Sequence, residues 1–192
     1  MNMLVIFELV LAASSAGALM LMRRTYFPMN LVWAFGVTTI GVAAVLGAFV
    51  YGGFSGLKGY HNLATDFAGS VGLISFALAA VGGIFAHQFH QAGWWITLIA
   101  VVVLSVALLG DAWRAPREVQ YAMVGILVLC ALVRLFGNPA SGLFLMGGVI
   151  LLVAASLASE WVASQFGWPR VNVYHALLAA SVISFGLFAA RE

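Results

Sequence analysis

Seven apolar stretches follow one another along this chain of 192 residues, and each has about the length of a transmembrane helix. A tilted helix needs roughly 20 apolar residues to cross about 30 Å of hydrocarbon. Backbone groups in lipid must also be hydrogen-bonded within the segment, which favours helices. The pattern therefore predicts an all-α bundle of seven transmembrane helices, forming one domain over residues 1–192. The stretches lie near 3–22, 31–51, 67–85, 94–110, 119–136, 142–159 and 173–190.

The composition excludes a water-soluble domain. Hydrophobic residues make up 64% of the chain and charged residues 7%, whereas soluble domains carry about 25% charged residues. The net charge of +2 comes from eight scattered basic residues. Because a nucleic-acid site needs a basic patch or stripe, we expect no nucleic-acid partner and take membrane lipid as the expected one.

The number of crossings depends on the polar break between the fourth and fifth stretches. That break runs from Asp111 to Glu118 and contains four charged residues and Pro116, which favours a surface turn. Six crossings is the alternative, with 94–136 forming one span and a re-entrant piece. The first stretch has no basic residue before it and Arg23 and Arg24 after it, so we expect a helix that is retained and not a signal peptide.

Alternation of seven crossings predicts which membrane face each charged residue reaches. Five of the six acidic residues fall on the face of the N-terminus, whereas the other face is mostly basic. Arg23 and Arg24 directly follow the first helix, which predicts the N-terminus outside and the C-terminus in the cytoplasm. The small size and short loops favour a bacterial inner membrane. The N-terminal face would carry Glu8, Lys58, His61, Asp66, Asp111, Arg114, Arg117, Glu118, Glu160, Arg170 and His175.

Two imidazoles and a carboxylate on that face suggest a metal site. His61 and Asp66 lie at the entry to the third span, and His175 lies at the entry to the seventh. These side chains can hold a divalent ion and leave a position for water, as in zinc hydrolases. We therefore predict His61, Asp66 and His175 as metal ligands. Glu8 and Asp111 are predicted to act as general acid or general base. Glu8 also needs a partner, because it lies within an apolar helix.

The same polar residues are also compatible with a purely interfacial role. His and Asp are ordinary at helix ends in the headgroup region, and Asp66 would be favourable at a helix N-terminus. On the opposite face, His87 and His90 are spaced i, i+3, as metal ligands on one helical turn are. Trp94 and Trp95 nevertheless make that segment resemble an interfacial anchor.

The arrangement of Glu8, of His61 with Asp66, and of His175 on seven short helices resembles a superfamily of membrane hydrolases. That superfamily includes alkaline ceramidases and the progestin and adiponectin receptors. The resemblance implies a zinc ion held by histidines and substrates that are lipid amides or related lipids. One turn after His175, where that superfamily has a second histidine, this chain has Ala179.

Three hypotheses about function follow from the sequence. The first is a metal-dependent lipid hydrolase whose site lies near one leaflet. The second is a small-solute, proton-coupled or cation-coupled transporter or transporter subunit, with Glu8, Asp66 and Glu160 lining a polar cavity. The third is a structural subunit of a membrane complex or a helix–helix homo-oligomer, for which small residues in the spans would provide the packing surfaces.

Overall fold

The described part of the chain is an all-α bundle, as the sequence predicts. The computed structural model describes residues 2–27, 29–85, 91–109 and 114–191. Within these ranges the chain forms seven helices and no strand. The helices are α1 (Met3–Met22), α2 (Met29–Tyr51), α3 (Ser55–Ile84), α4 (Gln91–Leu109), α5 (Arg117–Gly137), α6 (Pro139–Phe166) and α7 (Arg170–Ala189).

The helices are those of a multi-pass membrane protein. All except α4 are long and apolar enough to cross a membrane, and the described part of α4 contains a shorter apolar run, Ala92–Val103. The chain nevertheless traverses the bundle along α4. Trp95 packs edge-on against Phe27 at one end, with ring centroids 5.6 Å apart, and Arg114 reaches Asp66 at the other end.

The helix bounds correct the sequence-based spans at two points. The third helix begins at Ser55 instead of near 67, because Lys58–Phe67 forms an amphipathic helical segment ahead of the apolar core. The sixth helix runs from Pro139 to Phe166 and thus extends beyond 142–159 at both ends. Between the third and the sixth helix, α4 ends at Leu109 and α5 begins at Arg117. Residues 94–136 therefore contribute to two separate helices.

Local sequence signals set several helix ends. The side chain of Asn2 accepts a hydrogen bond from the Leu4 amide and caps α1. Asn138 does the same for α6 by accepting from the Ser141 amide, and Pro139 occupies the first helical position. Gly167 ends α6 with a positive φ of 65°, a left-handed conformation that glycine adopts without steric cost.

Helix α1 packs between α2 and α7, and it runs parallel to α7. At one end Glu8 of α1 meets His175 of α7. At the other end the hydroxyl of Thr25 donates to the Ala189 carbonyl at 2.8 Å. Small residues permit this close approach: a Cβ on Gly186 would come within 2.9 Å of the Ala18 backbone. The position of His175 beside Glu8 therefore follows from the packing of α1 against α7.

Two helices contain a π-turn, in which the backbone hydrogen bonds span five residues instead of four. One turn lies in α3 at Ala68–Gly72, and the other lies in α6 at Ala154–Ala158. Such turns are frequent at functional sites. Residues of both turns line one internal cavity in the N-terminal half of the bundle.

An aromatic cluster fills the half of the bundle away from the N-terminal end. Trp33 packs against three phenylalanine rings with centroids 5.5–5.9 Å apart, and all four side chains are at most 2% exposed. Aromatic pairs at this spacing stabilise a core beyond the area they bury. The rings belong to Trp33, Phe76, Phe185 and Phe188. Phe76 of this cluster lines the cavity.

Candidate functional site

A cavity of about 400 Å³ lies within the N-terminal half of the bundle. Its volume falls within the range of about 300–1,000 Å³ that is usual for small-molecule sites. The inner wall is apolar and is formed by Leu11, Ile40, Leu73, Phe76 and Leu178. The outer wall is polar and includes Glu8, His61, Asp66, Arg114, Tyr174 and His175. The cavity is therefore amphipathic along its length.

The central feature of the polar wall is a contact between Glu8 and His175. Glu8 Oε1 lies 3.1 Å from His175 Nε2, and the Glu8 residue is only 1% exposed. Glu8 Oε1 accepts no well-aligned hydrogen bond from the described residues, so this ion-pair contact is what partners it. An ionisable pair at this depth is costly unless its members satisfy each other, so the contact accounts for the carboxylate inside α1.

Hydrogen bonding orients the imidazole of His175 towards Glu8. His175 Nδ1 lies 2.7 Å from the Val171 carbonyl, and a carbonyl only accepts, so Nδ1 donates to it. The other ring nitrogen, Nε2, then faces the Glu8 carboxylate at 3.1 Å. An oxygen and a nitrogen that can each bind a proton therefore lie side by side on the cavity wall.

His61 lies beside this pair on α3. Its Nδ1 lies 3.0 Å from the Ala43 carbonyl and donates to it, and the ring of Tyr51 packs edge-on at a centroid distance of 5.7 Å. The Nε2 atom of His61 is thus the nitrogen with the free lone pair. The sequence analysis groups His61 with His175, and both histidines line this cavity.

Gly47 of α2 makes the close approach of these groups possible. A Cβ at this position would lie 2.5 Å from Glu8 Cδ and 2.9 Å from His61 Cε1. Both distances are shorter than real Cβ contacts, so any larger residue would displace the carboxylate or the imidazole. Sequence reasoning missed this role, because Gly47 is one of many small residues in an apolar helix.

Asp66 pairs with a cation at the mouth of the cavity. Its carboxylate lies 3.4 Å from Arg114 Nε, and both side chains are partly exposed. The segment after α4 is held here by Ser70 Oγ, which accepts from the Ala115 amide at 2.7 Å. Ser70 belongs to the π-turn of α3. The π-turn therefore helps to position Arg114 over the cavity.

Glu160, which was expected to line a polar cavity in the transporter hypothesis, lies elsewhere. Its carboxylate is 3.5 Å from Arg170 Nη1, and its side chain is 81% exposed. It is not among the residues that line the cavity. Of the three acidic residues in that hypothesis, the cavity contains Glu8 and Asp66.

The zinc site that the resemblance implies requires several ligand side chains close to one another. A catalytic zinc ion takes three protein ligands. Across the described ranges, no three His, Cys, Asp or Glu side chains come together closely enough for one metal ion. The donors as placed therefore fall short of that site, and no chemical step is derived through a metal. Asp111, His87 and His90 lie outside the described residues, and zinc binding stays a prediction.

Several cavity residues were not identified from the sequence. Gln120 and Tyr121 of α5 and Ser156 and Leu157 of α6 line the cavity with the predicted residues. No motif marks them, and only the fold brings α5 and α6 to this site.

Comparisons of the chain with protein-family models, with curated proteins and with solved structures found no match.

Proposed function

We propose that this protein is a membrane hydrolase that cleaves an amphipathic, lipid-like substrate with Glu8 and His175 as its acid–base pair. The observation that carries the proposal is the close contact between these two buried side chains on the wall of an amphipathic cavity. An acid–base group must be able to accept and return a proton beside the substrate. A carboxyl group and an imidazole 3.1 Å apart have that capacity.

The proposed reaction needs only water as co-reactant. The pair takes a proton from water while the water oxygen forms a bond to the acyl carbon of the substrate. The bond between that carbon and the leaving oxygen or nitrogen then breaks, and the pair returns the proton to the leaving group. Burial supports this role because charges act more strongly where water is excluded. His61, with its Nδ1 hydrogen committed to Ala43, has Nε2 available to accept a hydrogen bond from the substrate or the water.

The substrate class follows from the two walls of the cavity. The apolar inner wall, which includes the Phe76 ring, suits a hydrocarbon chain. The Asp66–Arg114 pair at the mouth suits a polar or charged headgroup. The Glu8–His175 pair lies between these regions, where the head and tail of a lipid ester or amide are joined.

The direct test is hydrolysis of lipid esters and amides by the purified protein in mild detergent. We expect fatty-acid release by the wild type and a loss of about 100-fold in Glu8→Gln and in His175→Gln, the usual size of an acid–base contribution. The matched control is Glu160→Gln, which removes an exposed carboxylate outside the cavity. Absence of hydrolysis by the wild type, or a normal rate in Glu8→Gln, would overturn the proposal.

The membrane and orientation form part of the same proposal. Arg23 and Arg24 follow α1 directly, which supports a cytoplasmic position for that end of the bundle. The cavity would then face the extracytoplasmic side of a bacterial inner membrane. Labelling of cysteines introduced at Lys58 and at Arg191 with a membrane-impermeant reagent in intact cells tests this, because only the Lys58 position should react.

Proton-coupled transport is the second candidate, and the two π-turns favour it. They interrupt regular hydrogen bonding in α3 and α6 beside the cavity, and transporters bind substrates at interrupted helices. The buried aromatic cluster packed behind Phe76 of the cavity wall favours the hydrolase, because it leaves no polar path through that half of the described bundle. Uptake driven by a proton gradient in vesicles, without chemical change of the solute, would support transport instead.

A further inference from the structure

The cavity reaches the side of the bundle between α5 and α6. Leu157 of α6 is 72% exposed and Tyr121 of α5 is 63% exposed, yet both also line the cavity. A residue that faces both the interior and the surroundings lies at an opening. Leu157 lies nine residues before the end of α6 and Tyr121 four residues after the start of α5, so the opening is about 6–13 Å from the end of the bundle.

Helix packing explains why these two helices separate there. At their junction α5 and α6 touch, since a Cβ on Gly142 would lie 2.5 Å from the Leu135 amide nitrogen. Further along, α6 packs against α7, where Ser181 Oγ donates to the Gly148 carbonyl at 2.7 Å. Helix α5 packs against the first part of α6, Pro139–Val153, and against α3. Among the described residues, the part of α6 after residue 153 forms no extended contact with α5.

We infer that the gap between Tyr121 and Leu157 is a lateral portal through which an acyl chain of a bilayer lipid enters the cavity. The inference rests on the proposed function for its substrate class, and it adds the route by which the substrate arrives. The portal lies at the depth of lipid chains and headgroups of one leaflet. Past it, the chain meets Leu73, Phe76 and Leu178.

The charges fit the same occupant. Asp66 and Arg114 lie at the mouth, close to where a headgroup remains when its chain has passed inward. Glu8 Oε1, which faces His175 Nε2, lies between the mouth and the inner wall. A lipid with a polar group near the start of its chain therefore meets polar side chains at the mouth and again at Glu8.

Photo-labelling in vesicles tests this route without any need for turnover. The protein is reconstituted with a phospholipid that carries a diazirine in its acyl chain, irradiated, digested and mapped by mass spectrometry. We expect labelling of Phe76 and Leu178, which are 2% and 7% exposed and therefore inaccessible to lipid outside the bundle. Absence of label at both residues in the wild type would overturn the inference.

Variants at the portal locate the point of entry. Leu157→Trp should lower the labelling of Phe76 and Leu178 at least about tenfold, equivalent to about 1.4 kcal/mol. Ser156→Trp is the second variant, in case the first does not fold. Ile150→Trp is the matched control, because Ile150 is a 59% exposed residue of the same helix outside the cavity lining. Unchanged labelling in folded Leu157→Trp and Ser156→Trp would overturn the portal.

A further variant separates the two proposals. Glu8→Gln should keep the labelling of Phe76 and Leu178 while it loses hydrolysis. If the wild type hydrolyses no lipid but is still labelled at these residues, the portal stands and the hydrolase proposal fails. If hydrolysis is present and the labelling is absent, the hydrolase proposal stands and the portal fails.

Discussion

Gly47 lies directly against Glu8: a Cβ built on the glycine would be 2.5 Å from the carboxylate carbon. We expect Gly47→Ala to push Glu8 away from His175 and to lower the hydrolysis rate about 100-fold, the loss that a misplacement of about 1 Å can cause. Overpacking should cost about 1–3 kcal/mol of stability. Lipid hydrolysis and thermal unfolding in detergent measure the two effects.

Gly147→Ala is the control for this prediction. Gly147 lies in α6, and a Cβ there would meet no atom within 4 Å. Its rate should equal that of the wild type. A normal rate in Gly47→Ala would contradict the idea that the glycine holds the acid–base pair in place.

The Glu8–His175 contact predicts strong energetic coupling. His175→Leu leaves the Glu8 carboxylate buried without its partner, and loss of one member of a buried pair costs about 3–5 kcal/mol. Glu8→Leu should be similarly harmful, whereas the double variant should be less destabilised than the sum of the two. The coupling expected for residues in contact is about 0.5–3 kcal/mol. Unfolding of the four proteins in denaturant measures it, and simple additivity would argue against a direct interaction between the two side chains.

The Asp66–Arg114 pair should influence substrate binding more than stability. Because both side chains are partly exposed, Asp66→Asn should change the free energy of unfolding by no more than about 1 kcal/mol. If the pair meets the headgroup, KM rises while kcat stays close to the wild-type value, the sign of lost ground-state binding. Glu160→Gln removes a comparable exposed pair outside the cavity and should change neither constant. A fall in kcat without a change in KM would speak against a headgroup contact.

Metal content separates the acid–base mechanism from a zinc-dependent one. The described donors bring Glu8 and His175 together but no third ligand, so we expect hydrolysis to continue after dialysis against a chelator. The measurement is elemental analysis of untagged protein, with the activity recorded before and after chelation. Near-stoichiometric zinc that is lost in both His61→Ala and His175→Ala would replace this mechanism with the metal site predicted from the sequence.

The apolar lengths predicted the helices well, because a bilayer sets the length of a crossing helix within narrow limits. Alternation also placed on one face the members of three ion pairs found among the described residues: Glu8 with His175, Asp66 with Arg114, and Glu160 with Arg170. Which residues meet within that face could not be predicted. Partners depend on which helices are neighbours, and that is decided by the packing of small residues such as Gly186 against Ala18.

The predicted group of His61, Asp66 and His175 shows where this limit lies. All three line the cavity, yet Asp66 pairs with Arg114 and His175 pairs with Glu8. Helix α1 supplies Glu8 between α3 and α7, and no spacing in the sequence encodes that insertion. Gly47 was not predicted for a related reason. It matters because it has no side chain, and the sequence does not show that Glu8 and His61 occupy the space a side chain would fill.

The π-turn of α6 makes the cavity sensitive to a change of one residue in chain length. A π-turn holds one residue more than an ordinary helical turn, and the parts of the helix on either side of it keep nearly the same facing. Deleting one residue within Ala154–Ala158 should therefore turn this stretch into ordinary helix. The change would alter the wall at Ser156 and Leu157, which line the cavity, while the remainder of α6 keeps its packing against α7. A single-codon deletion would thus reshape the cavity and leave the bundle intact.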